Sequence, residues 1–175
     1  MMDIIDGEKV FLKKIKVSDV TEEYLKWVND PEITQYLEIR FNKYSLDKIK
    51  EYVAGFENKD DDFLFMIVAK ENNRHIGNIH LGPINKNHKF AYVGIMIGDK
   101  DSWGKGYGTE AVKLVKKYAC DELGLHKLIA GCYENNLSSI KLFQKAGFQL
   151  EGRRKKQFKS GNSYVDGLLF TFIND

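Results

Sequence analysis

The segment Trp103-Gly104-Lys105-Gly106-Tyr107-Gly108-Thr109 combines the residue types and spacing that most directly suggest chemistry. Gly104, Gly106 and Gly108 alternate with larger residues, so main-chain N–H groups can converge without Cβ obstruction. The amphipathic run Thr109 to Leu123 behind them reads as a helix, whose N-terminus carries partial positive charge. Loop and helix start together form a cradle suited to phosphate. No Gly-Lys-Ser/Thr closes the loop, so it is not the Walker pattern. Even glycine spacing, without a first-strand βαβ unit, also argues against a dinucleotide fingerprint. A glycine-rich turn that binds nothing is the alternative reading.

The elements that must position this loop are marked by apolar periodicity and turn residues. Glu8 to Val17 reads as a strand with Val10, Leu12 and Lys14 on one face and Phe11, Lys13 and Ile15 on the other. Ser18 or Asp19 is expected to cap a helix carrying Leu25, Trp27 and Val28. Asn29-Asp30-Pro31 breaks that helix, and Pro31 can open the next at its first position. Ser45 caps a further helix to about Phe56, with Asp47 favourable in its first turn. Asp62 to Lys70, Arg74 to Leu81 and Phe90 to Ile97 read as strands, the last apolar enough to suggest burial on both faces. Beyond the loop, Ala111, Leu114, Val115, Tyr118 and Ala119 form one helical stripe, and Gly124 is a C-cap candidate. Lys127 to Tyr133 is a strand and Ser138 to Ala146 a helix stopped by Gly147. Phe148 onward gives two strands around Lys159-Ser160-Gly161-Asn162.

Composition narrows the class. The 175 residues are 43% hydrophobic and 30% charged, ordinary for one soluble domain with a sizeable core. A net charge of +2 gives no reason to expect nucleic acid as a partner. No apolar run is long enough to span a bilayer, and Met1 to Gly7 lacks a signal-peptide pattern. The expectation is therefore a cytoplasmic protein without a membrane partner. Cys120 and Cys132 make no disulfide framework and read as buried structural thiols. His75, His80, His88 and His126 lack zinc-ligand spacing, so no metal is expected. Residues 1–175 read as one α/β domain without repeats or linkers.

A second segment sharpens the reading of the glycine loop. Asn136-Leu137-Ser138-Ser139-Ile140-Lys141-Leu142-Phe143-Gln144-Lys145-Ala146-Gly147-Phe148 follows the next strand. With the loop, it resembles the GNAT superfamily of acetyl-CoA-dependent N-acetyltransferases: a Q/R-x-x-G-x-G/A pyrophosphate loop, then an N-x-x-S/A helix ending in K-x-G-F. Trp27-x-Asn29-Asp30-Pro31 and Gly104 to Ala111 resemble the subgroup of ribosomal-protein N-terminal and spermidine acetyltransferases. The resemblance covers nearly the whole chain. It implies an α/β (α+β layered) domain: a mixed, mostly antiparallel sheet of about seven strands, splayed at the cofactor site and flanked by about four helices. It also implies acetyl-CoA as cosubstrate and direct attack by an amine in a ternary complex. Trp103 stands at the loop's usual Gln/Arg position. Phe143 replaces a Tyr that protonates the departing thiolate in many relatives, and Tyr92 replaces a Glu base found in some.

The resemblance assigns roles residue by residue. Ile95, Met96 and Ile97 would pair with pantetheine, and a main-chain N–H there would polarise the thioester carbonyl. Trp103, Gly104, Lys105, Gly106, Tyr107, Gly108 and Thr109 would hold pyrophosphate. Asn136 would hydrogen-bond the pantetheine arm, with Ser139 and Phe143 beside it. Ser139 matches a proposed thiolate acid, but could equally cap its helix. Tyr92 is a catalytic candidate or a packed strand aromatic. His80 could relay a proton from the amine or be structural. Lys141 could meet the 3′-phosphate or be a solvated lysine, and Glu110 is explained by the helix dipole.

Acceptor recognition is expected opposite the cofactor, at Tyr36, Glu38 and Arg40. Arg40 suits a phosphate or carboxylate, or pairs with Glu38. Arg153-Arg154-Lys155-Lys156 reads as a solvated strand edge. The expected activity is acetyl transfer to a primary amine of a small metabolite, a nucleotide-linked amino sugar being one candidate. Protein N-termini and polyamines are the alternative acceptors. A non-catalytic acyl-CoA sensor is the rival from another class. A homodimer is compatible with the sequence.

Overall fold

The computed structural model describes residues 4–174. Its centre is one eight-stranded sheet built from β1 (Ile4–Asp6), β2 (Val10–Lys14), β3 (Phe63–Ala69), β4 (Arg74–Leu81), β5 (Phe90–Ile97), β6 (Lys127–Tyr133), β7 (Gln149–Ser160) and β8 (Ser163–Ile173). The spatial order is β1-β2-β3-β4-β5-β6-β8-β7. Only β5 and β6 run parallel; all other pairs are antiparallel. The helices are α1 (Glu22–Asn29), α2 (Pro31–Thr34), α3 (Leu46–Glu57), α4 (Tyr107–Asp121) and α5 (Leu137–Lys145).

Strand alternation sorts side chains into two cores. Phe63, Phe65, Ile67, Ile79, Leu81, Ala91 and Val93 face α4 and α5, meeting Ala111, Val112, Val115 and Phe143. Leu64, Met66 and Val68 face α1 and α3, meeting Tyr24, Trp27, Ile49, Val53 and Phe56. The second core reaches the end of β5 through Trp27, which lies against Gly98 so closely that a Cβ there would overlap the indole. Gly98→Ala should therefore destabilise the chain by ~1–3 kcal/mol, the usual range for overpacking. A denaturant titration with an unchanged midpoint would contradict that packing.

The helix starts follow their local chemistry. Pro31 occupies the first turn of α2, and the Asp30 side chain accepts from the Glu32 N–H. Ser45 accepts from Lys48 N–H to cap α3. The first long helix is capped by Thr21, not by Ser18 or Asp19. Asp19 instead ends a short 3-10 turn, accepting from Lys16 N–H and from Lys13.

Other expectations need correction. The expected strand Glu8 to Val17 is the shorter β2, and the unexpected β1 precedes it, with Gly7 and its neighbours turning the chain between the two. β1 raises the strand number from about seven to eight. β5 is not buried on both faces: Tyr92 and Gly94 are exposed and Ile95 to Ile97 half-exposed. The reason is that the α1–α3 face of the sheet is uncovered at Tyr92 and Gly94, where a Cβ on Gly94 would meet nothing within 4 Å, while Ile95 to Ile97 border the gap left where β6 parts from β5. Cys132 is buried, with its thiol pushed up to about 11 by that burial, whereas Cys120 is only half-buried. The expectation for Met1 to Gly7 falls partly on residues 1–3, outside the described residues.

Candidate active site

β5 and β6 pair through only Phe90↔Lys127, Ala91↔Leu128 and Tyr92↔Ile129, then part. On its other edge β5 stays bound to β4 as far as Gly77↔Ile97. Gly82 N–H donates to Tyr92 O, and Gly98 N–H to Ile76 O. Main-chain groups alternate sides along a strand. The even-numbered residues of β5 therefore bond to β4, Val93 N–H still reaches Ile129 on β6, and the Val93 C=O, the Ile95 N–H and C=O and the Ile97 N–H face the gap. The sheet thus presents unpaired N–H and C=O groups at its centre, where they normally would be satisfied.

The glycine loop lies at the wide end of this gap. Gly104 (φ +76) and Gly106 (φ +87) sit in the left-handed region, and a Cβ on either would meet open space. Glycine is used here for backbone conformation rather than for close packing. Gly106 is the N-cap of α4 without any side-chain cap. The first main-chain bond into the helix is Glu110 N–H to Gly106 O. The N–H groups of Tyr107, Gly108 and Thr109 consequently have no protein partner among the described residues, which leaves a cluster of donors at the positive end of the helix. Trp103 donates its indole N–H to Ile97 O at 2.9 Å, fastening the loop to the end of β5. The Glu110 carboxylate accepts from Lys9 N–H at 2.8 Å and ties α4 to the approach to β2.

A cleft of about 400 Å³ joins gap and loop. Ile95, Met96 and Ile97 form its floor, and Trp103, Gly104 and Gly106 to Thr109 one end. Asn136, Ser139, Lys141 and Lys145 line the α5 side, and Ile33, Tyr36 and Leu37 the opposite wall. Asn136 Oδ1 caps α5 by accepting from Ser139 N–H at 3.1 Å, so its amide NH₂ is the part left for a ligand. The Ser139 hydroxyl has no protein partner among the described residues and faces a half-buried position. Gly108 is the point where α4 approaches α5, since a Cβ would lie 2.9 Å from Leu142 Cδ1.

Several expected residues stand elsewhere. Phe143 is 2% exposed and packs between Phe148, which it meets at a tilt, and Phe170, on which it stacks, so it belongs to the core rather than to the cleft lining. The Lys105 ammonium lies 3.9 Å from Glu71, outside the lining. Arg40 is not available as an anion fork. Its guanidinium donates to Gln35 O and Lys159 O and lies over the Phe41 and Tyr133 rings. Nor does it pair with Glu38, which accepts from Tyr133 OH at 3.0 Å. Burial and that hydrogen bond to Glu38 push the Tyr133 phenol up. Of the three acceptor candidates only Tyr36 lines the cleft, and its OH donates to Asn135 O at 3.3 Å. Tyr92 is 45% exposed and packs edge-on against Phe90. His80 is bonded to Asp62, a partner that the sequence did not reveal. Arg153 pairs with Glu134 and Asp166 on the exposed β7 edge.

Likeness to known proteins agrees with this arrangement. The chain is 32% identical to a probable N-acetyltransferase, YjcK, of Bacillus subtilis (strain 168), over 98% of this chain and 97% of that one. Its fold superposes on a spermidine N-acetyltransferase from Vibrio cholerae in complex with CoA and spermine, with a TM-score of 0.83, 21% identity and coverage of 95% and 96%. It also superposes on RimL, a ribosomal-protein α-N-acetyltransferase in complex with coenzyme A, with a TM-score of 0.86, 19% identity and 97% coverage of each chain. No helix among the described residues is long and apolar enough to cross a membrane. The acetyltransferase (GNAT) domain pattern matches residues 9–149, and with the splayed sheet and uncapped glycine loop this establishes that the chain belongs to the GNAT acetyltransferase family.

Proposed function

We propose that this GNAT enzyme transfers the acetyl group of acetyl-CoA to the primary amine of a small metabolite. The observation that carries the reading is the meeting of two sets of unpartnered donors: the Ile95 and Ile97 N–H groups of β5 and the start of α4. As an N-acetyltransferase the chain uses acetyl-CoA, and the residues present fit it. Three free N–H groups on a positive helix end suit a pyrophosphate, and a strand edge in mid-sheet suits an amide-bearing arm. The loop Trp103 to Thr109 would hold the former, and Ile95 to Ile97 with the Asn136 amide the latter. Lys141 and Lys145 offer charge for a further phosphate. When bound, acetyl-CoA supplies an activated acyl group that a neutral amine can attack.

The chain's own part is positional and electrostatic. An N–H of Ile95 or Ile97 would donate to the developing oxyanion. The Ser139 hydroxyl is free to donate a proton to the departing sulfur. Tyr92 stands at the narrow end of the gap, open to an acceptor. A compact acceptor is favoured by the segment Tyr36 to Phe41, which is strapped to Asn135 and Lys159 and narrows the approach. The nucleotide-linked amino sugar loses its particular support, because Arg40 is occupied.

The test is thiol release from acetyl-CoA with three amines: a UDP-linked amino sugar, spermidine, and a peptide with a free N-terminus. Mass spectrometry of the products identifies what is acetylated. Turnover of a small amine supports the proposal. Acetylation of the peptide alone contradicts the small-molecule reading. Tight CoA binding with no turnover on any of the three favours an acyl-CoA sensor.

A further inference from the structure

One exposed region of the sheet face lies beside the gap without belonging to the cleft. On the α1–α3 side of the sheet, His80 stands opposite Gly94, with Tyr92 two residues before it on β5. A Cβ on Gly94 would meet nothing within 4 Å, so the sheet is bare there. A glycine inside a strand commonly marks a place where a ligand approaches the backbone. The next residue, Ile95, directs its main chain into the gap. Gly94 therefore lies between an imidazole on one side and unpaired strand donors on the other.

His80 is held in one orientation. Its Nε2 lies 2.6 Å from Asp62 Oδ1, and its ring meets Phe56 edge-on at 5.5 Å. The other Asp62 oxygen accepts from Lys59 at 2.9 Å. Burial opposes ionisation of Asp62, but the hydrogen bonds from Lys59 and His80 outweigh it and hold the carboxyl below its usual range. A carboxylate only accepts, so the neutral imidazole carries its proton on Nε2. Nδ1 then keeps its lone pair, and it has no protein partner among the described residues. The side chain is 28% exposed. The fold supplies a carboxylate that fixes the tautomer, and an open acceptor nitrogen beside a bare strand.

We propose that His80 Nδ1 takes the proton from the acceptor amine over Gly94, with Asp62 as its positioning residue. This rests on the acetyl-transfer reading above. The amine nitrogen bonds to the acyl carbon as the carbon–sulfur bond breaks, the sulfur leaves as thiolate, and the nitrogen's proton passes to Nδ1 and then to solvent. The charged and titratable groups around the imidazole are Asp62 and Lys59 from the β3 approach, Tyr52 on α3 and Tyr92 on β5. Asp62 is the one in direct contact.

Two variants separate chemistry from folding. His80→Gln can still donate to Asp62 but has no nitrogen base. Using whichever of the three amines above turns over fastest, kcat should fall by about 100-fold, within the range for loss of a general base, while the Kd for acetyl-CoA stays within about twofold. Asp62→Asn removes the charged acceptor that fixes the imidazole and should lower kcat, with the Kd for acetyl-CoA again within about twofold. Imidazole ¹⁵N NMR of the wild-type chain should show His80 protonated on Nε2, and that preference should be lost in Asp62→Asn. A wild-type tautomer protonated on Nδ1, or unchanged kcat in His80→Gln, would overturn the proposal while leaving acetyl transfer intact. Failure of all three amines with the wild-type chain would instead remove the catalytic reading on which it rests.

Discussion

Gly106→Trp is expected to lower the affinity for acetyl-CoA by about 100-fold or more while the chain stays folded. Gly106 caps α4 at φ +87, where an L-residue is strained by roughly 1–2 kcal/mol. Space for a Cβ is nevertheless open on that side, so packing tolerates the change. The indole would stand in front of the unpartnered N–H groups of Tyr107, Gly108 and Thr109. Losing two hydrogen bonds to a charged group removes ~3–6 kcal/mol at ~1.5–3 kcal/mol each, and each ~1.4 kcal/mol is tenfold in affinity. Calorimetric titration of wild type and variant with acetyl-CoA reads the difference directly. A folded variant with unchanged affinity would mean that the anion site lies elsewhere.

Phe143→Ala is expected to produce the largest loss of stability, ~3–5 kcal/mol. The ring is 2% exposed and packs between Phe148 and Phe170, so its removal leaves a cavity under α5. For a chain of this size the melting temperature should fall by roughly 6–20 °C. Acetyl-CoA affinity of the folded fraction should change little, because Phe143 does not line the cleft. An unchanged melting temperature with lost affinity would reverse that assignment and make Phe143 a ligand contact.

What the sequence made legible depended on how local the signal was. The span Arg74 to Leu81 and the span Phe90 to Ile97 are strands with those bounds, because turn residues bracket each apolar run. Ser45 and Pro31 mark helix starts through bonds that reach only two or three residues. The glycine loop was legible for the same reason: its conformation and the helix behind it are set within a few residues. Short or non-local features were not. β1 has only three residues, too few for a period. Asp62 and His80 are separated by a turn and two strands, and only the β3–β4 register brings them together. Arg40 bonds to Lys159 through the distant β7–β8 hairpin, so nothing near it in sequence reveals that its donors are occupied. Phe143 matched a family position whose usual residue is functional, yet burial is decided by Phe148 and Phe170 packing on either side.

The parting of β5 from β6 was expected only through family resemblance, and it is the feature on which the account turns. Amide hydrogen exchange, with and without saturating acetyl-CoA, tests it most directly. New protection is expected in three segments: Val93 to Ile97 at the open strand edge, Trp103 to Thr109 at the uncapped helix start, and Asn136 to Leu142 across the cleft. Saturating binding that leaves all three segments unprotected would contradict the placement of acetyl-CoA in the gap.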